Sequence, residues 1–271
     1  MQRLLFVRLH ASGCAAEVWI NDLPVFSVGP DAPLAARAVH EYVFEGVNRI
    51  ELRVAQDRAT LVAPVEPGGA GLVAAVPARA HLRLALVRDG RGIDDDNARV
   101  LAERSWAVAA GEAWDAPVVD RFEVSLPVGF QRWRWPEAPV IEAVDGVRAA
   151  VRRFLQQTAG QLSRGDAEPL LAISRVRIEE TAAAYQRAPA DELARLRAHL
   201  LRLHVAGALT VPAPGADRLV LRPCGDGRLL DCVLTDGGPA LRALATPETG
   251  GVGWSLPVRI ALVERHIHVL R

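Results

Sequence analysis

At 271 residues, 50% hydrophobic and 24% charged, the chain is long and apolar enough to bury one large core or two smaller ones, which excludes wholesale disorder. Its 32 basic residues balance its 32 acidic ones, so it lacks the excess positive charge on which nucleic-acid binding rests. No apolar run reaches the roughly 20 residues that a membrane-spanning helix needs, so no membrane insertion is expected.

All 32 basic residues are arginine. Beside abundant Ala, Val, Leu and Gly, this reads as genomic base bias more than as recognition chemistry. The opening stretch, Met1 to His10, is interrupted by Arg3 and Arg8. Its apolar run is too short for a secretory signal, and a cytoplasmic location is expected. The three cysteines, Cys14, Cys224 and Cys232, are odd in number and too sparse for a disulfide scaffold. They are expected to be buried thiols.

From residue 3 to about 126 the hydrophobic period is two, with Gly, Pro, Asn and Asp at hairpin-like intervals. Strands are expected over 3–10, 16–20, 24–28, 38–44, 48–54, 80–88, 100–109 and 118–126, with a turn at Asn21-Asp22. Eight short strands and no clear helix predict an antiparallel β-sandwich over residues 1–126. The stretch 56–79, rich in Pro and Gly, is expected to be a long loop with one extra short strand. Asp94, Asp95, Asp96 and Asn97, with Asp89 nearby, offer oxygen ligands but lack the Gly and distal Glu of a calcium loop, and are read as a solvated loop.

Residues 127–139 form a linker rich in Trp and Pro, with Phe130, Trp133 and Trp135 among Arg132 and Arg134. Extended, the two tryptophans would share a ledge for a sugar ring or a protein; folded back, they would be an apolar latch. They are candidate partner-surface residues.

Beyond the linker, residues 140–271 change to a helical period over 141–164, 167–187 and 190–206, with Asp166 as an N-cap and Gly207 as a stop. Four strands follow at 218–224, 228–235, 239–246 and 254–270, with turns at Asp226-Gly227 and Asp236-Gly237-Gly238. The first of these turns pairs Cys224 with Leu229 and Cys232 with Leu221, too far apart along the strands for a disulfide.

Three helices and then four antiparallel strands, with the helix carrying Gly165 to Leu171 and the closing strand Val258 to Arg265, resemble the nuclear-transport-factor-2-like superfamily. The likeness covers residues 140–271 and implies a curved sheet wrapped around a helix as a cone. Its members include enzymes, transport factors and non-catalytic modules. The segments Glu17 to Asp22 and Gly46 to Val54 are similar to accessory β-sandwiches of glycosidases, which implies carbohydrate as a possible ligand. The expected fold class is therefore α+β, a sandwich followed by a cone-like domain.

Candidate pocket residues within such a cone are Arg177, Glu180, Tyr185, His204 and Arg265, with Glu179 and Asp231 nearby. Nothing in their spacing fixes an acid–base pair. Glu264, His266 and His268 alternate along the last expected strand, but ligands about 6.6 Å apart on one strand strain a metal site. These histidines are read instead as partner-surface residues on the outer sheet face, beside alternating apolar residues that need cover. No Gly-x-Ser-x-Gly turn, Gly-Lys phosphate loop or Cys-x-x-Cys occurs. No catalytic residue, cofactor or metal is expected. The expectation is a non-catalytic binding protein, an adaptor, immunity or chaperone-like module for another bacterial protein, or one that self-associates. The alternatives are a small-molecule enzyme or sensor using the cone pocket, and a carbohydrate-binding module.

Overall fold

The computed structural model describes residues 3–63, 70–88, 98–126, 132–142, 144–244, 253–264 and 266–271. Two compact units divide the chain, Met1–Arg132 and Trp133–Arg271. The expected acidic loop at Asp89 and 94–97 lies outside the described residues.

The first unit is built on period-two alternation. In β1 (Arg3–Ser12) Leu5, Val7, Leu9 and Ala11 are buried. The remaining strands are β2 (Ala15–Ile20), β3 (Leu23–Val28), β4 (Leu34–Ala38), β5 (Gly46–Ala55), β6 (Ala70–Val73), β7 (Ala78–Arg88), β8 (Arg99–Val108), β9 (Ala113–Ala116) and β10 (Val118–Leu126). They form two four-stranded antiparallel sheets, ordered β4-β1-β7-β8 and β10-β5-β2-β3, and the small pair β6-β9. One hydrophobic cluster takes Leu5 and Val7 from β1, Leu82 and Leu84 from β7, Val18 and Ile20 from β2, Leu52 and Val54 from β5, and Phe122 and Val124 from β10. Asn21 and Asp22, with φ of 51° and 61°, make the expected left-handed turn between β2 and β3.

Two expectations for this unit are corrected. The segment 38–44 is not a strand: β4 ends at Ala38 and His40–Tyr42 is a 3-10 turn. The His40 ring accepts the Leu5 backbone N–H at Nε2 (2.7 Å), while Val39 N–H bonds Leu5 carbonyl (3.0 Å). The ring thus takes the place that a further strand residue would hold. Within 56–79 there is also a short helix, α1 (Arg58–Val62), capped by Asp57, whose side chain accepts from Thr60 N–H at 2.8 Å.

The second unit starts with α2 (Asp145–Ser163), α3 (Glu168–Ile173), α4 (Arg175–Ala184) and α5 (Pro189–Val205). The helix expected over 167–187 is therefore two, broken at Ser174, whose φ of −93° and ψ of 6° leave the helical well. Asp166 does not cap α3; Ala167 holds that position without a side-chain bond. Gly207, at φ 69°, follows α5 as the expected stop.

Among the described residues, six strands follow: β11 (Leu219–Cys224), β12 (Leu229–Leu234), β13 (Leu241–Ala243), β14 (Trp254–Leu256), β15 (Val258–Val263) and β16 (His266–Val269). The single strand expected over 254–270 is thus three. Pro257 separates the first two, and Glu264 at φ 50° turns the chain before β16. The sheet order is β11-β12-β15-β16, with β13-β14 a separate pair. Cys224 pairs with Leu229 and Leu221 with Cys232, the register read from the turn, and all three cysteines are buried free thiols. Leu155 and Leu162 of α2, Leu170 of α3, Ile178 of α4 and Leu200 of α5 join Leu221, Leu230, Ile260 and Val269 of the sheet in one cluster. Strands and helices together make the chain α+β.

Candidate functional site

The described polar residues singled out in the second unit are placed apart and engaged in structural contacts. Glu180 is buried, and its Oε2 accepts from Arg271 Nη1 at 2.6 Å while its Oε1 accepts the Arg134 backbone N–H at 2.7 Å. Arg177 donates from Nη1 to the Pro257 carbonyl at 2.7 Å, tying α4 to the chain between β14 and β15. Tyr185 ends α4, with the Arg187 guanidinium 5.3 Å from its ring centre. His204 lies in the last turn of α5 against Gly165. Arg265 lies outside the described residues. Among the described residues, these groups do not line one pocket.

Asp231 is held likewise. Its register partners are Arg222 on β11 and Arg259 on β15, with guanidinium nitrogens 2.7 Å and 3.2 Å from its two carboxylate oxygens. A carboxylate neutralised from both sides in a buried setting is a sheet fastener, not a proton carrier.

Trp133 and Trp135 are each only 2% exposed, so neither forms a surface ledge. The Arg271 guanidinium sits 5.2 Å from the Trp133 ring centre. His266 is exposed and His268 half-buried on the edge strand β16. Glu264 belongs to the preceding turn and does not alternate with them. Leu229, Val233 and Ala261, on the sheet face opposite the helix-facing cluster, are buried within the single chain. The expected uncovered apolar patch beside the histidines is therefore absent at these residues. Among the described residues, no group of three or more His, Cys, Asp or Glu is arranged to hold a metal ion.

A cavity of about 340 Å³ opens instead between α3, α4 and α5. Leu171, Ala172, Ile178, Pro189, Ala190 and Leu193 give it apolar walls. Its rim is charged. Arg197 grips Glu168 with two bonds, Nε–Oε1 at 2.6 Å and Nη2–Oε2 at 2.9 Å. Arg175 donates to Glu179 at 2.7 Å, and Arg134 reaches the same carboxylate at 3.2 Å. The Arg197 bond holds the Glu168 carboxyl below its ordinary pKa, and the Arg175 bond does the same for Glu179. Both carboxylates stay charged and engaged at neutral pH, so the rim orients the arginines and has no proton to give.

Sequence reasoning missed this cavity, because Glu168 and Arg197 meet across 29 residues and two helices. Locally, Pro189 and Ala190 open α5 on the wall of the cavity. No family model, no curated protein and no solved structure matches the chain.

Proposed function

We propose that this chain is a non-catalytic, cytoplasmic binding protein of adaptor type that recognises another protein. In this reading the two four-stranded sheets of the first unit form an antiparallel β-sandwich, and the second unit is a cone-like α+β domain. The cavity between α3, α4 and α5 carries the reading: apolar walls that accept a partner's side chain, with paired charges around them to fix its approach. The occupied state of Glu180 and Asp231 supports binding over catalysis, since both are committed to buried ion pairs. A second reading, a small apolar ligand in the same cavity, is supported by its volume, at the lower end of the range for small-molecule sites.

A photo-crosslinking residue at exposed Ala190, with and without Leu193→Arg to fill the cavity, tests the reading in lysate. One polypeptide crosslinked by the wild type and lost in the Leu193→Arg variant supports it. The same crosslinks in both proteins, or none in either, removes its basis.

A further inference from the structure

The segment that leads into β11 is laid along α2, and one stripe of the helix meets it. Asp145, Arg148, Arg152, Gln156 and Ser163 are spaced three, four, four and seven residues apart, which sets them along one side of α2. At the far end of the stripe Ser163 Oγ accepts the Val211 N–H at 2.9 Å, and Gln156 Nε2 donates to the Pro214 carbonyl at 3.0 Å. Past Pro214 the segment turns, with Leu219 N–H bonding the Gly215 carbonyl at 3.1 Å, and a cavity of about 330 Å³ lies between this turn and the first turns of α2. Its floor is apolar, made by Ala149, Leu219 and the buried Leu221. Over that floor stand two guanidinium groups one helical turn apart, from Arg148 and the half-buried Arg152. Asp145 lines the same cavity and is exposed.

We propose that this cavity binds a small organic monoanion, a carboxylate carried on a short apolar chain. A guanidinium holds five N–H donors in a fixed fork, so an arginine bonded to the protein along one edge still presents another to a carboxylate. Partial burial above Leu219 and Leu221 thins the water around Arg152 and strengthens a charge-assisted bond there. The apolar floor is covered by the ligand's chain, which a bare phosphate does not possess. Asp145 adds repulsion against a second negative charge, so the site favours a monoanion over a dianion. The volume stands at the lower end of the range for small-molecule sites and keeps the chain short. The cavity shares no lining residue with the one between α3, α4 and α5, so either proposal can fail without the other.

The test is backbone amide NMR of the full chain titrated with sodium hexanoate, beside hexanol and inorganic phosphate in separate titrations. Hexanoate should shift the Ala149, Leu219 and Leu221 amides saturably, and hexanol and phosphate should each bind about tenfold more weakly or less. Arg152→Gln should weaken hexanoate binding by about tenfold. Ala149→Leu, which fills the cavity with a good helix former, should abolish it. Arg153→Gln, the exposed neighbour on α2, should leave it unchanged. Hexanol or phosphate binding as tightly as hexanoate, full binding by the Ala149→Leu variant, equal loss in the Arg152→Gln and Arg153→Gln variants, or no saturable shift at those amides would overturn the proposal.

Discussion

Glu180 and Arg271 stand 91 residues apart in sequence and 2.6 Å apart in space, with side chains only 2% and 1% exposed. The pair fastens the end of the described chain to the middle of α4. Glu180 also accepts Arg134 N–H, so one carboxylate gathers three segments. A buried ion pair adds little over an apolar pair of the same volume, but removing one member strands the other charge.

That asymmetry makes the first prediction. Glu180→Leu alone should cost about 3–5 kcal/mol in urea denaturation, by leaving the Arg271 guanidinium buried and uncompensated. The double variant Glu180→Leu with Arg271→Met should recover most of the loss. A double variant as unstable as the sum of the singles would mean that the pair is not coupled.

The second prediction concerns His40. Burial lowers its pKa from 6.5 to about 4, and its Nε2 must stay unprotonated to accept Leu5 N–H. A histidine depressed in the folded state stabilises fully above its unfolded pKa and loses that stability as pH falls from 6.5 towards 4. A lowering from 6.5 to about 4 corresponds to roughly 3 kcal/mol. Denaturation at pH 7 and pH 4 should show this loss, and His40→Gln, whose amide oxygen can still accept Leu5 N–H, should flatten the slope. Equal pH slopes in the two proteins would assign the acid sensitivity to other groups.

A third prediction follows from Asn48, which is fully buried. Its Oδ1 accepts from Phe44 N–H and from Asn21 Nδ2, both at 2.8 Å, while its Nδ2 donates to the carbonyls of Phe44 (2.9 Å) and Gly46 (3.0 Å). Every donor and acceptor of one amide is used to hold the bend into β5. Asn48→Ala should cost about 2–4 kcal/mol, since it strands several buried groups at roughly 1–3 kcal/mol each. Thermal melts check the loss, and a drop under 1 °C would show that water replaces the amide freely.

How much of this was legible depended on the distance over which each signal acts. The alternation of β1, the left-handed pair Asn21-Asp22 and the β11–β12 register all follow from residues within one or two turns of each other. The end of β4 was hidden because His40 is fixed by Leu5, 35 residues away. The break at Ser174 was hidden because Leu170, Leu171 and Ile178 keep an apolar stripe running through it. The cavity between α3, α4 and α5 was less visible still, since its rim pairs residues from separate helices. Trp133 and Trp135 left both readings open, ledge or buried residue; burial excludes the ledge because each ring has lost nearly all its contact with water.

The last prediction tests the joint between α2 and α5. Gly165 turns the chain out of α2 at φ 82°, a conformation that costs an L residue about 1–2 kcal/mol. A Cβ there would also sit 2.6 Å from His204 Cδ2, inside any tolerable contact. Gly165→Ala should therefore carry two separable penalties, backbone strain and overlap with the ring. His204→Ala in the same chain removes only the second. Chemical denaturation of the wild type, both single variants and the double should show the double more stable than Gly165→Ala alone, yet below His204→Ala by about the strain cost of 1–2 kcal/mol. Strict additivity of the single losses would mean that the ring moves aside freely, and that His204 does not set how closely α5 approaches the turn.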